Sequence, residues 1–349
     1  GIVFDLNGDK LNADRYLPPA SEDDSASAGG SGEATGTTSA GQPESDLLPL
    51  ETLRSLLMDV DLGLGELIVS NLTIKEITAS TTAENGILKV DEFSGKLYDG
   101  GFDAKGTLDA RSDNPKWRVR SDVTGVQTLP LLTDLAEVEM LSGAANLDAA
   151  IDTTGNRVSA LRENAKGQIN FNLAEGQFRN MNLTRMACQG IAMANQEELT
   201  TTDWSTHTPF NDMRGTLTIN GNTLTNNDLV AALAGMRLEG TGTVNLKQAS
   251  LDYEAGLRIV GEIHRDNACR VTEYVENVVI PVECRGNFSE DPAKLCSFDG
   301  SRFRDTLKDI AANAARTKAK EKVQEKLQEE LGGEAGKKVQ DALKGLFGQ

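Results

Sequence analysis

The chain has 349 residues, 38% hydrophobic and 25% charged, enough for two or three ordinary domains or for one extended repetitive structure. A formal charge of −18 and an isoelectric point near 4.6 repel phosphate backbones, and no basic patch interleaved with aromatics offsets this, which argues against nucleic-acid binding. Apolar runs end after four or five residues, as at 47–50, so no segment spans a bilayer.

The sequence opens at Gly1 inside a predicted strand, Ile2 to Leu6, with no methionine, and reads as a fragment from which any targeting segment has been removed. Asp5, Asn7 and Asp9 alternate as in a calcium loop. However, Gly8 comes two positions early, and Tyr16 stands where a bidentate glutamate is required. Residues 20–46 are almost wholly Ser, Gly, Thr, Ala, Asp and Glu, too poor in apolar surface to offset their ordering entropy, and predict a disordered loop. Leu50, Leu53, Leu56 and Leu57 then recur at helical spacing, which predicts one short amphipathic helix within 47–60.

From Gly65 to Phe298 the dominant period is two. Phe102, Ala104, Gly106, Leu108 and Ala110 form one row, and Ala145, Leu147, Ala149 and Ile151 another. Ile169, Phe171 and Leu173 follow, then Leu217 and Ile219, then Leu238, Val244 and Leu246, then Leu251 to Ile259, and finally Ile280 and Val282. Such rows predict antiparallel strands with one buried face. Turn signals separate them at Asn85-Gly86, Asp99-Gly100-Gly101, Glu175-Gly176 and Asn220-Gly221-Asn222. Leu129 to Leu141 and Leu183 to Ala194 read as helices, too few to cover a long sheet.

Ten or more half-apolar strands must pack on a second sheet, close into a barrel, or leave the face to a ligand. Aromatics make up only 5% of the chain, whereas sandwich cores are rich in them. The expected fold is therefore mainly β: an elongated, curved antiparallel sheet forming a lightly filled apolar groove, with a few short helices. The inward positions are Leu67, Val69, Ile74, Phe102, Leu108, Leu147, Ile151, Phe171, Leu217, Ile219, Leu238, Val244, Leu257 and Ile259. Each also suits an ordinary core.

Past Phe298 the chain turns rich in Ala, Lys, Glu, Gln and Leu. Leu307, Ile310, Ala311, Ala314 and Ala315 share a helical face, as do Val323, Leu327 and Leu331, before a break at Gly332-Gly333 and a second helix to Leu346. This amphipathic helical segment reads either as a solvated helix along the sheet or as a docking element for a partner or membrane through Val339, Leu343, Leu346 and Phe347.

Cys188, Cys269, Cys284 and Cys296 contain no CxxC or Cys/His metal spacing, and suggest two disulfides with three possible connectivities. Pairing Cys269 with Cys284, and Cys188 with Cys296, is favoured because the middle pair would close a strand-loop-strand excursion. His207 and His264 lie in no metal or general-base motif, and no GxSxG, SxxK or P-loop occurs. The expectation is a non-enzyme without metal or cofactor. Sequons at Asn71, Asn182 and Asn287 fit either glycosylation or chance in a Thr-rich β chain.

Several segments, in order, resemble the AsmA family of double-membraned bacteria: Phe4-Asp5-Leu6, Leu11 through Arg15-Tyr16-Leu17-Pro18-Pro19, Leu62-Gly63-Leu64-Gly65-Glu66-Leu67 with Leu72-Thr73-Ile74, and Leu97-Tyr98-Asp99-Gly100-Gly101-Phe102. Gly143 to Leu147, Ala165 to Ile169 and Glu175 to Phe178 extend the likeness, which departs from the family pattern at the cysteine-bearing segments and the charged tail. The resemblance implies a β-groove protein akin to bridge-like lipid-transfer proteins. It would lie in the periplasm, anchored to the inner membrane by a segment absent here, with phospholipid acyl chains as partners and envelope proteins met through the C-terminal helix. Residues 1–19 would end a preceding groove unit, 20–46 form the loop, 47–298 the groove and 299–349 the helical segment. The expected function is non-enzymatic phospholipid transport supporting outer-membrane biogenesis. A scaffold for outer-membrane protein assembly and an adhesin-like secreted β protein are the alternatives.

Overall fold

The computed structural model describes residues 2–15 and 44–330, apart from positions 70, 196, 262, 264–265, 272–274, 276–277, 288–289 and 291. Among the described residues, fourteen strands form one open, curved sheet in strict chain order. They are β1 (Ile2–Asn12), β2 (Met58–Val69), β3 (Leu72–Glu84), β4 (Ile87–Leu97), β5 (Gly100–Asp109), β6 (Lys116–Gln127) and β7 (Leu141–Thr154). There follow β8 (Lys166–Phe178), β9 (Thr208–Asn220), β10 (Thr223–Leu233), β11 (Met236–Asn245), β12 (Ser250–Ile259), β13 (Val279–Asn287) and β14 (Cys296–Phe298). The helices are α1 (Leu50–Ser55), α2 (Thr128–Ala136), α3 (Val158–Asn164), α4 (Leu183–Asn195), α5 (Pro292–Leu295) and α6 (Gly300–Glu330). Among the described residues no helix is long and apolar enough to cross a membrane.

One pairing departs from the expected antiparallel order. β1 runs parallel to β2, with Ile2 opposite Met58 and Asn12 opposite Ile68. A parallel pair needs a long crossover, and residues 13–57 supply it. Most of the low-complexity stretch, 20–43, lies outside the described residues. Its end at 44–46 is held in place: Arg157 pairs with Asp46 at 3.1 Å, the Ser159 amide donates to Glu44 at 3.0 Å, and the Leu47 amide donates to the Asn156 carbonyl at 2.8 Å.

Competition between periods explains the other differences. The helix expected within 47–60 stops at Ser55, because Met58, Val60, Leu62 and Leu64 already alternate as β2. Glu175-Gly176 is a bulge inside β8 rather than a turn, with Glu175 at φ 49°. A Cβ on Gly176 would lie 2.3 Å from the Phe210 ring, so only glycine lets β9 approach there. α2 ends at Ala136 and leaves Leu141 to begin β7, while Leu246 falls just beyond β11 and is exposed. Asn85-Gly86 turns β3 into β4 with both residues at positive φ, and Tyr98-Asp99 does the same between β4 and β5, two residues earlier than the Gly100-Gly101 pair suggested.

Both disulfides form, with connectivity Cys188–Cys269 and Cys284–Cys296, and no free cysteine remains. This overturns the favoured pairing of Cys269 with Cys284 and Cys188 with Cys296. The chain that leaves β12 rejoins the sheet at Val279, five positions before Cys284, so closing the excursion at Cys284 is geometrically wrong. Cys284 instead meets its register partner Cys296 on β14, while Cys269, in a 3-10 turn, meets α4.

Candidate functional site: an apolar trough, open at one half and filled at the other

Strand register turns the period-two rows into one apolar face. Val90, Gly106, Val119, Ile151, Gly167, Ile219, Leu224, Val244 and Leu251 are successive register partners from β4 to β12. A neighbouring row joins Phe102, Val123, Leu147 and Phe171, and another joins Leu173, Met213, Ala231, Leu238, Leu257 and Ile280. The opposite face is polar. There Arg118 meets Asp152 at 3.1 Å, Arg258 meets Glu239 at 2.9 Å, and Arg285 meets Asp252 at 2.7 Å. Side chains alternate across a strand, so the sequence period alone segregates the two faces.

What covers the apolar face changes along the sheet. From β8 onward α4 lies on it. Ala187, Cys188 and Ile191 of α4 share a buried cluster with Leu173, Met213, Leu238, Leu257, Ile259 and Ile280. Leu238, Leu257 and Ile259, assigned to a groove from the sequence, are thus packed core. A Cβ on Gly190 would sit 3.2 Å from Ile280 Cδ1, so the glycine sets the close approach of α4 to β13. α6 lines the same contact through Phe303 and Ile310, and the Thr306 hydroxyl donates to the Val279 carbonyl at 3.2 Å, covering the β13 edge that short β14 leaves bare.

On β2 to β7 the cover is confined to the strand ends. α2 packs against β7 and reaches β3 and β6, and α1 lies by β3 and β4. A small cluster of Leu64, Ile74 and Ile77, with Leu67, Val69, Phe93, Leu97 and Phe102 half-buried beside it, lines one end. Between the ends, Val119 is 40% exposed, while Val90, Phe102, Val123, Leu147 and Ile151 are half-buried and Leu108 is buried. On β1 the partners Phe4 and Leu6 are exposed as well. Phe171, Leu217 and Val244, also assigned to the groove, are half-buried, and Ile219 is buried. The docking candidates Val339, Leu343, Leu346 and Phe347 lie outside the described residues.

Val119 was missed from the sequence although the signal was there. In Lys116 to Val123 the apolar Trp117, Val119 and Val123 alternate with Arg118, Arg120 and Asp122.

Two tyrosines beside the trough are kept protonated. Burial, with the Asp228 charge, pushes the Tyr253 hydroxyl up to about 12, and burial with a hydrogen bond to Asp134 does the same for Tyr98. Both remain neutral. Asp266 is the reverse case: backbone amides of Thr201 and Ala268 donate to it at 2.6 and 2.9 Å and hold its carboxyl well below the usual range. Among the described residues, no group of three or more His, Cys, Asp or Glu side chains is placed to hold a metal ion. What the arrangement offers is an uncharged surface for hydrocarbon.

Comparison with known proteins gives one family model, that of the AsmA family, matching residues 2–229. The protein AsmA of Escherichia coli (strain K12) is 21% identical over 284 residues, which cover 80% of this chain and 46% of that relative. The chain thus spans about half the length of the relative it matches. No solved structure gives a significant match.

Proposed function

The chain belongs to the AsmA family, and from that premise we propose that it handles phospholipid in the bacterial envelope, in support of outer-membrane assembly. Acyl chains would lie on the open half of the apolar face, with head groups at the rim in water, and movement would need no chemical step. The observation that carries this reading is the uncovered floor of β4 to β7, where Val119 stays 40% exposed between half-buried Val90 and Ile151. Soluble proteins seldom leave contiguous apolar surface without a use, and each methylene that leaves water for such a floor gains about 0.8 kcal/mol. Two disulfides suit the oxidising periplasm.

The filled half favours a second reading, a scaffold for outer-membrane protein assembly in which the face mainly packs on itself. Native mass spectrometry of the chain purified from a periplasm separates the two. Co-purifying phospholipid, lost in Val119→Asp/Ile151→Asp with an unchanged circular-dichroism spectrum, supports lipid handling. A folded chain that stays lipid-free after incubation with phospholipid vesicles transfers the assignment to the scaffold.

A further inference from the structure

Covering a sheet face with a single helix requires that the helix be held, and α4 is held more heavily than its size demands. Cys188 in α4, fully buried, is bonded to Cys269, also fully buried, across 81 residues of sequence. Around that bond, Asn195 donates to the Ala268 carbonyl at 3.2 Å, and Arg270 pairs with Glu197 at 2.6 Å. Asp266 accepts from the Thr200, Thr201 and Ala268 amides at 2.8, 2.6 and 2.9 Å. α4 and the residues 197–201 after it are thereby tied to Asp266 to Arg270 beyond β12, and α4 lies on the apolar face with Phe303 of α6 against Gly190. The β2 to β7 connections carry no cysteine.

We infer that α4 and the segment Asp266 to Arg270, locked by Cys188–Cys269, are a plug that ends the acyl-chain path at β8, leaving the trough blind on its C-terminal side. The inference rests on the lipid reading above and specifies where lipid goes. Acyl chains occupy β2 to β7, a floor on the order of 25 Å wide at about 4.8 Å per strand spacing. The inward residues Leu238, Leu257 and Ile280 of β11 to β13, chemically as apolar, are closed to them.

The test uses the intact chain and vesicles of phosphatidylethanolamine and phosphatidylglycerol carrying a diazirine near the end of one acyl chain, with photolabelled peptides mapped by mass spectrometry. With both disulfides formed, label should fall on β4 to β7, at Val90, Phe102, Val119 and Ile151, and be absent from Leu238, Leu257 and Ile280. In Cys188→Ala/Cys269→Ala, label should spread onto β11 to β13. Label on Leu238 or Leu257 in the disulfide-intact chain overturns the plug. A folded double variant whose label stays confined to β4 to β7 overturns the lock. If that variant does not fold, the pattern in the intact chain alone decides the plug. A chain that takes no label anywhere sinks the lipid reading itself, and the plug with it.

Discussion

The two halves of this sheet are built from the same alternation of apolar and polar residues, yet one is a packed core and the other a lined, open trough. Leu257 on β12 is fully buried, whereas on β6 full burial falls at the strand end, at Val126, and Val119 is 40% exposed. Their side chains and strand geometry differ little. The difference comes from the connections: one long helix with a bridged partner loop lies over β8 to β13, and short helices sit only at the strand ends of β2 to β7. A sheet in sequential order gains nearly all its backbone hydrogen bonds locally, so its shape is secure before either face is covered. Covering can then be spent unevenly, and the half left uncovered is free for a ligand.

That comparison can be broken at several points. The largest effect is expected from Cys188→Ala/Cys269→Ala, where the sequence separation of 81 predicts a loss of about 4.5 kcal/mol on chain-entropy grounds. Cys284→Ala/Cys296→Ala, with a separation of 12, should lose about 3 kcal/mol, and denaturant melts that reverse this order would remove the bridge to α4 from its central place. Leu257→Ala should cost about 2–5 kcal/mol as a buried truncation. Val119→Ala should stay within about 0.5 kcal/mol in the same melts, and equal losses would mean that the open half is packed after all.

Acid should act on the filled half through Asp266. The folded pKa of Asp266 lies below its unfolded value of about 3.9, so its contribution is complete above that pH and is lost as pH falls toward the folded pKa. The melting temperature should therefore drop on acidification below about pH 4, and Asp266→Ala should flatten that dependence while lowering the value at pH 7. An unchanged acid profile in the variant would place the sensitivity elsewhere. Val119→Asp should cost about 1 kcal/mol, somewhat more than Val119→Ala because Asp suits a strand poorly, while phospholipid retention falls.

Much of the fold was legible because a strand's two faces repeat every two residues. Phe102 to Leu108, Ala145 to Ile151 and Leu251 to Ile259 each declared a strand and its inward side, and Leu183 to Ala194 declared a helix. Where two periods overlapped, as at Leu56 to Val60, the pattern was ambiguous and tertiary pairing with β1 and β3 settled it. The parallel direction of β1 and the choice of cysteine partners were beyond reach for the same reason. Each depends on which distant segments meet, and local periodicity carries no such information.

The sequence by itself determined that this is a long, mainly β chain with one apolar face and a charged helical end, since alternation and composition act residue by residue. Which stretch of that face is floor and which is core was decided only in three dimensions. Leu238, Leu257 and Ile259 look no different in sequence from Ile151 or Val119; they are core because α4, fixed by a bond to a residue 81 positions away, lies on top of them.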